Sequence, residues 1–166
     1  MAQVVTGGLS VENPLFRVYL FYSSVLVLKM LFMSAITGMT RVKIRYDAMP
    51  QLEPLRSVIM SFANPEDAVR LKGKVKTDEE VERKRRAHLN DLENIPIFLI
   101  VSAAYILTEP SVVFATLLFR AFTIARIVHT LVYAIVVVPQ PARGISFGVG
   151  LVITAYMAIV SLLYFL

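Results

Sequence analysis

The chain contains no cysteine, which excludes a disulfide framework and any thiol chemistry carried by the protein itself. A reactive sulfur, if one is used, has to arrive on a ligand. No Asn-x-Ser/Thr sequence is present, so glycosylation gives no pointer to a compartment. HExxH spacing and a phosphate-cradling glycine loop are missing. The two histidines, His88 and His129, make a poor zinc site without cysteines beside them. No metal is expected, and haem ligation is disfavoured because His88 stands among charges. No internal repeat or low-complexity run occurs.

Apolar residues are what the chain has in excess. They make up 57% of its 166 residues, against roughly 45–50% in a typical soluble domain. They fall in long blocks separated by short polar joints, and such blocks call for lipid. A helix needs about 20 mostly apolar residues to cross the hydrocarbon layer, because every backbone polar group must be bonded within the segment. Four stretches qualify: about Leu15 to Gly38, Asp91 to Leu107, Val112 to Val138 and Gly144 to Leu166. The expectation is an all-α integral membrane protein, a single domain over 1–166 built as a four-transmembrane-helix bundle. A cleaved signal peptide is not expected: the first block is longer than a typical h-region, holds Lys29 and follows a leader with no basic cluster.

The formal charge is +5, a balance that raises nucleic acid or an anionic surface as partners. Its distribution argues for topology instead, and no nucleic acid is expected. Of the 17 Lys and Arg, 12 lie between Arg41 and Arg86, in the polar stretch of about 41–90 that joins the first two spans. Positive joints stay cytosolic. Both termini and the Thr108–Glu109–Pro110 turn then face the other side, and Pro139–Gln140–Pro141–Ala142–Arg143 returns to the cytosol. Within the polar stretch, Thr77-Asp78-Glu79-Glu80 reads as a capping box, so a helix should start there and run into the second span. Pro96 near the start of that span predicts a bend or a cavity. Gly144 and Gly148 have the small-xxx-small spacing that allows close helix approach.

Ionisable side chains inside spans are costly and by default face the bundle interior or a watery cavity. Lys29 lies near the middle of the first span and calls for an internal carboxylate, such as Glu93, or for a ligand. Arg126, His129 and Tyr133 are spaced three and four apart, so one face of the third helix carries a cation, an imidazole and a phenol. Arg86, Asn90 and Glu93 repeat that pattern on the second helix as a facing partner. Together they offer cations for carboxylates, an amide for peptide groups and a carboxylate for an ammonium. That inventory suits a small zwitterionic peptide with excess negative charge. Glutathione, with two carboxylates, one ammonium and a thiol, fits it. Arg143 opens the fourth span, where helix-end amides favour an anion. A cation and a helix N-terminus together lower a thiol pKa, making Arg143 the catalytic candidate.

Four segments carry a resemblance. Phe62-Ala63-Asn64-Pro65-Glu66-Asp67-Ala68, the run from Val81 to Asn94 with Arg86-Ala87-His88-Leu89-Asn90-Asp91-Leu92-Glu93, Ala125-Arg126-Ile127-Val128-His129-Thr130, and Pro139-Gln140-Pro141-Ala142-Arg143 resemble the MAPEG superfamily, and within it the microsomal glutathione transferase branch. The likeness covers most of the chain from about Leu26. It implies a homotrimer in the endoplasmic reticulum membrane, and in the outer mitochondrial membrane, with glutathione as co-substrate between subunits and the active site facing the cytosol. Carried over by motif, Arg41, Arg86, Asn90, Glu93, Arg126, His129 and Tyr133 would contact glutathione, and Arg143 would stabilise its thiolate. Arg41 comes from the resemblance alone.

The implied activity is conjugation of glutathione thiolate to hydrophobic electrophiles, with peroxidase action on lipid hydroperoxides beside it. The prostaglandin E synthase branch has Ser directly after the catalytic Arg and Tyr three residues further on, where this chain has Gly144 and Phe147. That isomerase is the second reading, and a non-enzymatic lipid-binding adaptor of the same superfamily is the third. Two further departures are an insertion around Tyr46 to Ser61 and one extra residue between Tyr133 and Arg143. Ala68 stands where the mammalian transferases carry a cysteine, so activation by thiol reagents is excluded.

Overall fold

The computed structural model describes residues 8–48 and 78–166. The described chain is four helices, each long and apolar enough to cross a membrane, with no strand among the described residues. They are α1 (Pro14–Ala48), α2 (Glu79–Ile106), α3 (Val112–Thr130) and α4 (Ala142–Phe165). A π-helical turn, Leu131–Ile135, continues α3. The fold is thus an all-α membrane bundle. The stretch 49–77, which holds most of the insertion, the Phe62–Ala68 motif and Thr77, lies outside the described residues.

Each start has a local cause. The Asn13 carboxamide accepts the Leu15 amide at 2.9 Å, and Pro14 occupies the first helical position, where its missing N–H costs nothing. At α2 the cap is Asp78. Its Oδ1 accepts the amides of Glu80 at 2.8 Å and Val81 at 3.2 Å, and Glu79, Glu80 and Glu82 complement the positive end of the helix. The helix-start signal at Thr77–Glu80 therefore acts one residue later than its hydroxyl suggests. The 41–90 polar stretch is helical at both ends, since α1 continues to Ala48 and α2 begins at Glu79. Pro96 sits inside α2 without ending it.

The described residues group into two compact units, Met1–Met30 with Leu89–Leu166, and Leu31–His88. The first is held by an apolar core from all four helices: Leu15 and Leu26, Ile95 and Phe98, Phe119 and Phe122, Ile153 and Met157. Phe98 stacks on Phe122 at 3.6 Å between centroids and meets Phe119 edge-on at 6.0 Å, two geometries that ring quadrupoles favour. A side-chain carbon on Gly150 would stand 3.4 Å from the Phe122 ring and 3.8 Å from Arg126 Cδ. Close approach on α4 thus falls at Gly150. Among the described residues Gly148 has nothing within 4 Å and Gly144 meets only Gln140 of its own turn, so no close approach is seen at the Gly144/Gly148 pair. Ile100, Val113, Val152 and Leu163 stand outward and exposed, as side chains facing hydrocarbon should.

In the second unit, Lys84 donates to Thr40 Oγ1 at 2.8 Å and to Glu80 at 2.6 Å. Arg85 pairs with Glu82 one turn back at 2.8 Å. Thr37 returns its hydroxyl to the Met33 carbonyl at 2.8 Å, and Met33, Val81 and Ala87 form the buried apolar contribution.

Candidate functional site

In the first unit the intramembrane charges are gathered in one place. Asp91 is fully buried and its carboxylate is shared: one oxygen accepts Lys29 Nζ of α1, the other accepts Arg126 Nη2 of α3 at 2.5 Å. The same Arg126 nitrogen donates to the Asn90 carboxamide oxygen at 2.7 Å. Lys29 is therefore paired with Asp91 and not with Glu93. Successive helical residues are rotated by about 100°, which puts Asp91 inside and leaves Glu93 exposed. Two cations against one carboxylate leave a single positive charge in a buried setting, where an unmatched charge is costly.

One turn along α3, His129 is buried and meets the Tyr133 ring edge-on, 5.6 Å between centroids. Tyr133 in turn lies under the Arg143 guanidinium, whose central carbon is 4.5 Å from the ring centroid. The expected stripe of Arg126, His129 and Tyr133 is thus a continuous polar wall. It is joined at one end to Asn90 and at the other to Arg143. Three buried polar atoms on it have no hydrogen-bond partner among the described residues: Arg126 Nε, His129 Nδ1 and Thr130 Oγ1. Buried polar groups are ordinarily satisfied, so these atoms are open to a polar partner.

The end of α3 is not the straight helix to Val138 that the apolar run suggested. Val136 donates to the Leu131 carbonyl at 2.8 Å and Val138 to Val132 at 2.8 Å, wider closures than the α pattern. Val137 then takes φ 55°, a left-handed conformation strained for a β-branched residue. π-Turns of this kind gather at functional sites, and this one carries Tyr133.

Arg143 belongs to the first turn of α4. Gln140 Oε1 caps that turn by accepting the Gly144 amide at 3.2 Å, and Ser146 donates its hydroxyl to the Arg143 carbonyl at 3.0 Å. A cation at the positive end of a helix opposes the dipole. Such a breach of a local rule is expected where a site, rather than the fold, has chosen the residue.

The structure brings together Asn90, Arg126, His129, Tyr133 and Arg143. Glu93 lies in the same unit, exposed, one turn after Asn90. Arg41 and Arg86 belong to the second unit; Arg41 Nε is buried there without a partner among the described residues, and Arg86 is exposed. Sequence reasoning missed Asp91, Thr130 and Gly150. Asp91 had a signal, an acid within reach of Lys29, but it stood at the expected edge of a span and was counted as a boundary.

Comparison with known proteins follows the same lines. The MAPEG family pattern matches residues 19–163. The chain is 40% identical over 153 residues to microsomal glutathione S-transferase 1 of Mus musculus, covering 89% of this chain and 88% of that one. The Sus scrofa protein of that name is 41% identical over 147 residues, with the same coverage. Prostaglandin E synthase of Homo sapiens is 31% identical over 154 residues, covering 92% and 91%. The polar segments, the four spans and these similarities agree, and the chain belongs to the MAPEG family.

Proposed function

We propose that the protein is a membrane-bound glutathione transferase, joining glutathione thiolate to hydrophobic electrophiles that enter from the bilayer. The observation that carries the reading is Arg143. It sits at the first turn of α4, over Tyr133 and at the end of a buried polar wall with one unmatched positive charge. Relatives named microsomal glutathione S-transferase 1 at about 40% identity support it.

In this reading the glutathione carboxylates and peptide groups are taken by Arg126, Asn90, His129 and Tyr133, with Glu93 for the ammonium. Arg41 and Arg86 join this set on the family motif. Arg143 and the α4 amides stabilise the thiolate, because a cation and a helix N-terminus both favour the charged sulfur. The thiol proton leaves to water. With an aryl chloride, the sulfur forms the new C–S bond and chloride departs with the electrons of the C–Cl bond. In the accompanying peroxidase reaction a lipid hydroperoxide is the oxidant: the O–O bond breaks to give the lipid alcohol and water, and two glutathiones supply the two electrons and become the disulfide. The proposal includes a homotrimer in the endoplasmic reticulum membrane, and also in the outer mitochondrial membrane, with the site facing the cytosol.

The direct test is the ultraviolet absorbance of bound glutathione thiolate at neutral pH. Wild type should show it and Arg143→Ala should lose it while still binding glutathione. Equal absorbance in both would remove Arg143 from the mechanism. Prostaglandin E synthases among the relatives support a second reading, isomerisation of a prostaglandin endoperoxide with the same co-substrate. Formation of the E-type product above the uncatalysed background would favour it. Gly144 and Phe147, in place of that branch's Ser and Tyr, weigh toward the transferase.

A further inference from the structure

The glutathione reading assigns Arg126 to the ligand and leaves Lys29 and Asp91 unused. Asp91 is 0% exposed and Arg126 is 1% exposed, so neither is a surface charge that water could screen. Arg126 reaches its place on a long side chain with many rotamers. Its Nε has no partner among the described residues. Its fixed contacts are the Asp91 carboxylate and the Asn90 carboxamide, both through Nη2. Of these only Asp91 is charged, and charge-assisted bonds are roughly twice as strong as neutral ones. Lys29 of α1 holds the opposite oxygen of the same carboxylate, so the carboxylate cannot turn away from Arg126 without abandoning a second buried cation.

We propose that Asp91 is a positioning residue, whose carboxylate, anchored by Lys29, fixes the Arg126 guanidinium beside Asn90 with its remaining N–H groups turned to the ligand carboxylate. The device rests on the glutathione reading. It works through Arg126 and leaves the thiolate to Arg143. Affinity and chemistry should therefore separate.

The test uses the full chain in lipid nanodiscs, with glutathione affinity by equilibrium dialysis, thiolate absorbance at saturation, and thermal midpoint. Asp91→Asn frees Arg126, and its dissociation constant for glutathione should rise about tenfold or more, the scale of a lost bond to a charged group. Thiolate absorbance per bound glutathione should stay at the wild-type level, so KM rises while kcat holds. Lys29→Met removes the anchor but keeps the Asp91–Arg126 bond, and its loss of affinity should be clearly smaller than that of Asp91→Asn. Where Asp91→Asn does not fold, Lys29→Met/Asp91→Asn removes the whole Lys29–Asp91 ion pair and should show the same loss of affinity.

Wild-type affinity in a folded Asp91→Asn or double variant would overturn the proposal, since the network would then only stitch helices together. Equal loss in Lys29→Met and Asp91→Asn would also overturn it, because the effect would follow the network and not the hold on Arg126. Failure of wild type itself to bind glutathione would sink the transferase reading, and the positioning role with it.

Discussion

The first unit has two halves made from the same helices. Toward one end, α2, α3 and α4 contribute Phe98, Phe119, Phe122 and Met157, and the contacts are rings and aliphatic surface. Toward the other they contribute Asn90, Asp91, Arg126, His129, Tyr133 and Arg143, and the contacts are bonds between named atoms. In lipid the apolar half gains from close van der Waals packing, which many side-chain combinations can supply. The polar half has no such latitude: each buried charge needs a specific partner. Stability should therefore be carried mainly by one half and ligand chemistry by the other.

That division can be broken from either side. The largest effect expected is on chemistry: Arg143→Ala should lower conjugation of a chloronitrobenzene on the order of a hundredfold, the scale of losing one preorganised charge stabiliser. Its thermal midpoint should stay at the wild-type value. A matching fall in midpoint would mean that the polar half also holds the fold. Phe98→Ala removes the ring stacked on Phe122 and should cost about 3 kcal/mol of stability, read by thermal or denaturant unfolding in detergent. Glutathione affinity of the folded fraction should be within about twofold of wild type, since the proposed binding contacts are elsewhere; a tenfold weakening would erase the division.

Gly150 sharpens the comparison because it touches both halves, Phe122 and Arg126 Cδ. Gly150→Leu should cost about 2 kcal/mol by overpacking and also weaken glutathione binding, whereas Gly150→Ala, whose carbon would make ordinary contacts, should be tolerated in both assays. Identical behaviour of the two variants would show that α4 does not approach closely there. The smallest effect belongs to Asp78→Ala, which removes the side-chain acceptor for Glu80 and Val81 and should cost about 1 kcal/mol. Turnover at saturating substrate should be unchanged.

The two halves were also unequally legible in the sequence. The spans follow from length and apolarity, which need no partner to be recognised. The stripe of Arg126, His129 and Tyr133 could be found because a charge in a span is expensive wherever it points. Which carboxylate answers Lys29 could not be found that way. Glu93 and Asp91 are two residues apart, and only helix rotation, set by packing, decides which is buried. Close approach at Gly150 instead of Gly144 or Gly148 has the same origin, because the Phe122 ring selects the glycine and no spacing rule encodes that ring. The wide turn at Leu131–Ile135 leaves no mark in a uniformly apolar run.

That turn has a consequence for helical phase. An insertion in a regular helix rotates everything after it by about 100°, which would swing Tyr133 or Arg143 out of reach of the other. A closure from Val136 back to Leu131 takes up one residue more than an α turn does, and the left-handed Val137 then redirects the backbone toward the cis Gln140–Pro141 corner. The joint between α3 and α4 thus resets the helical phase. The Tyr133 ring and the Arg143 guanidinium meet across that joint, so their contact depends on its wide turn and not on one continuous helical phase.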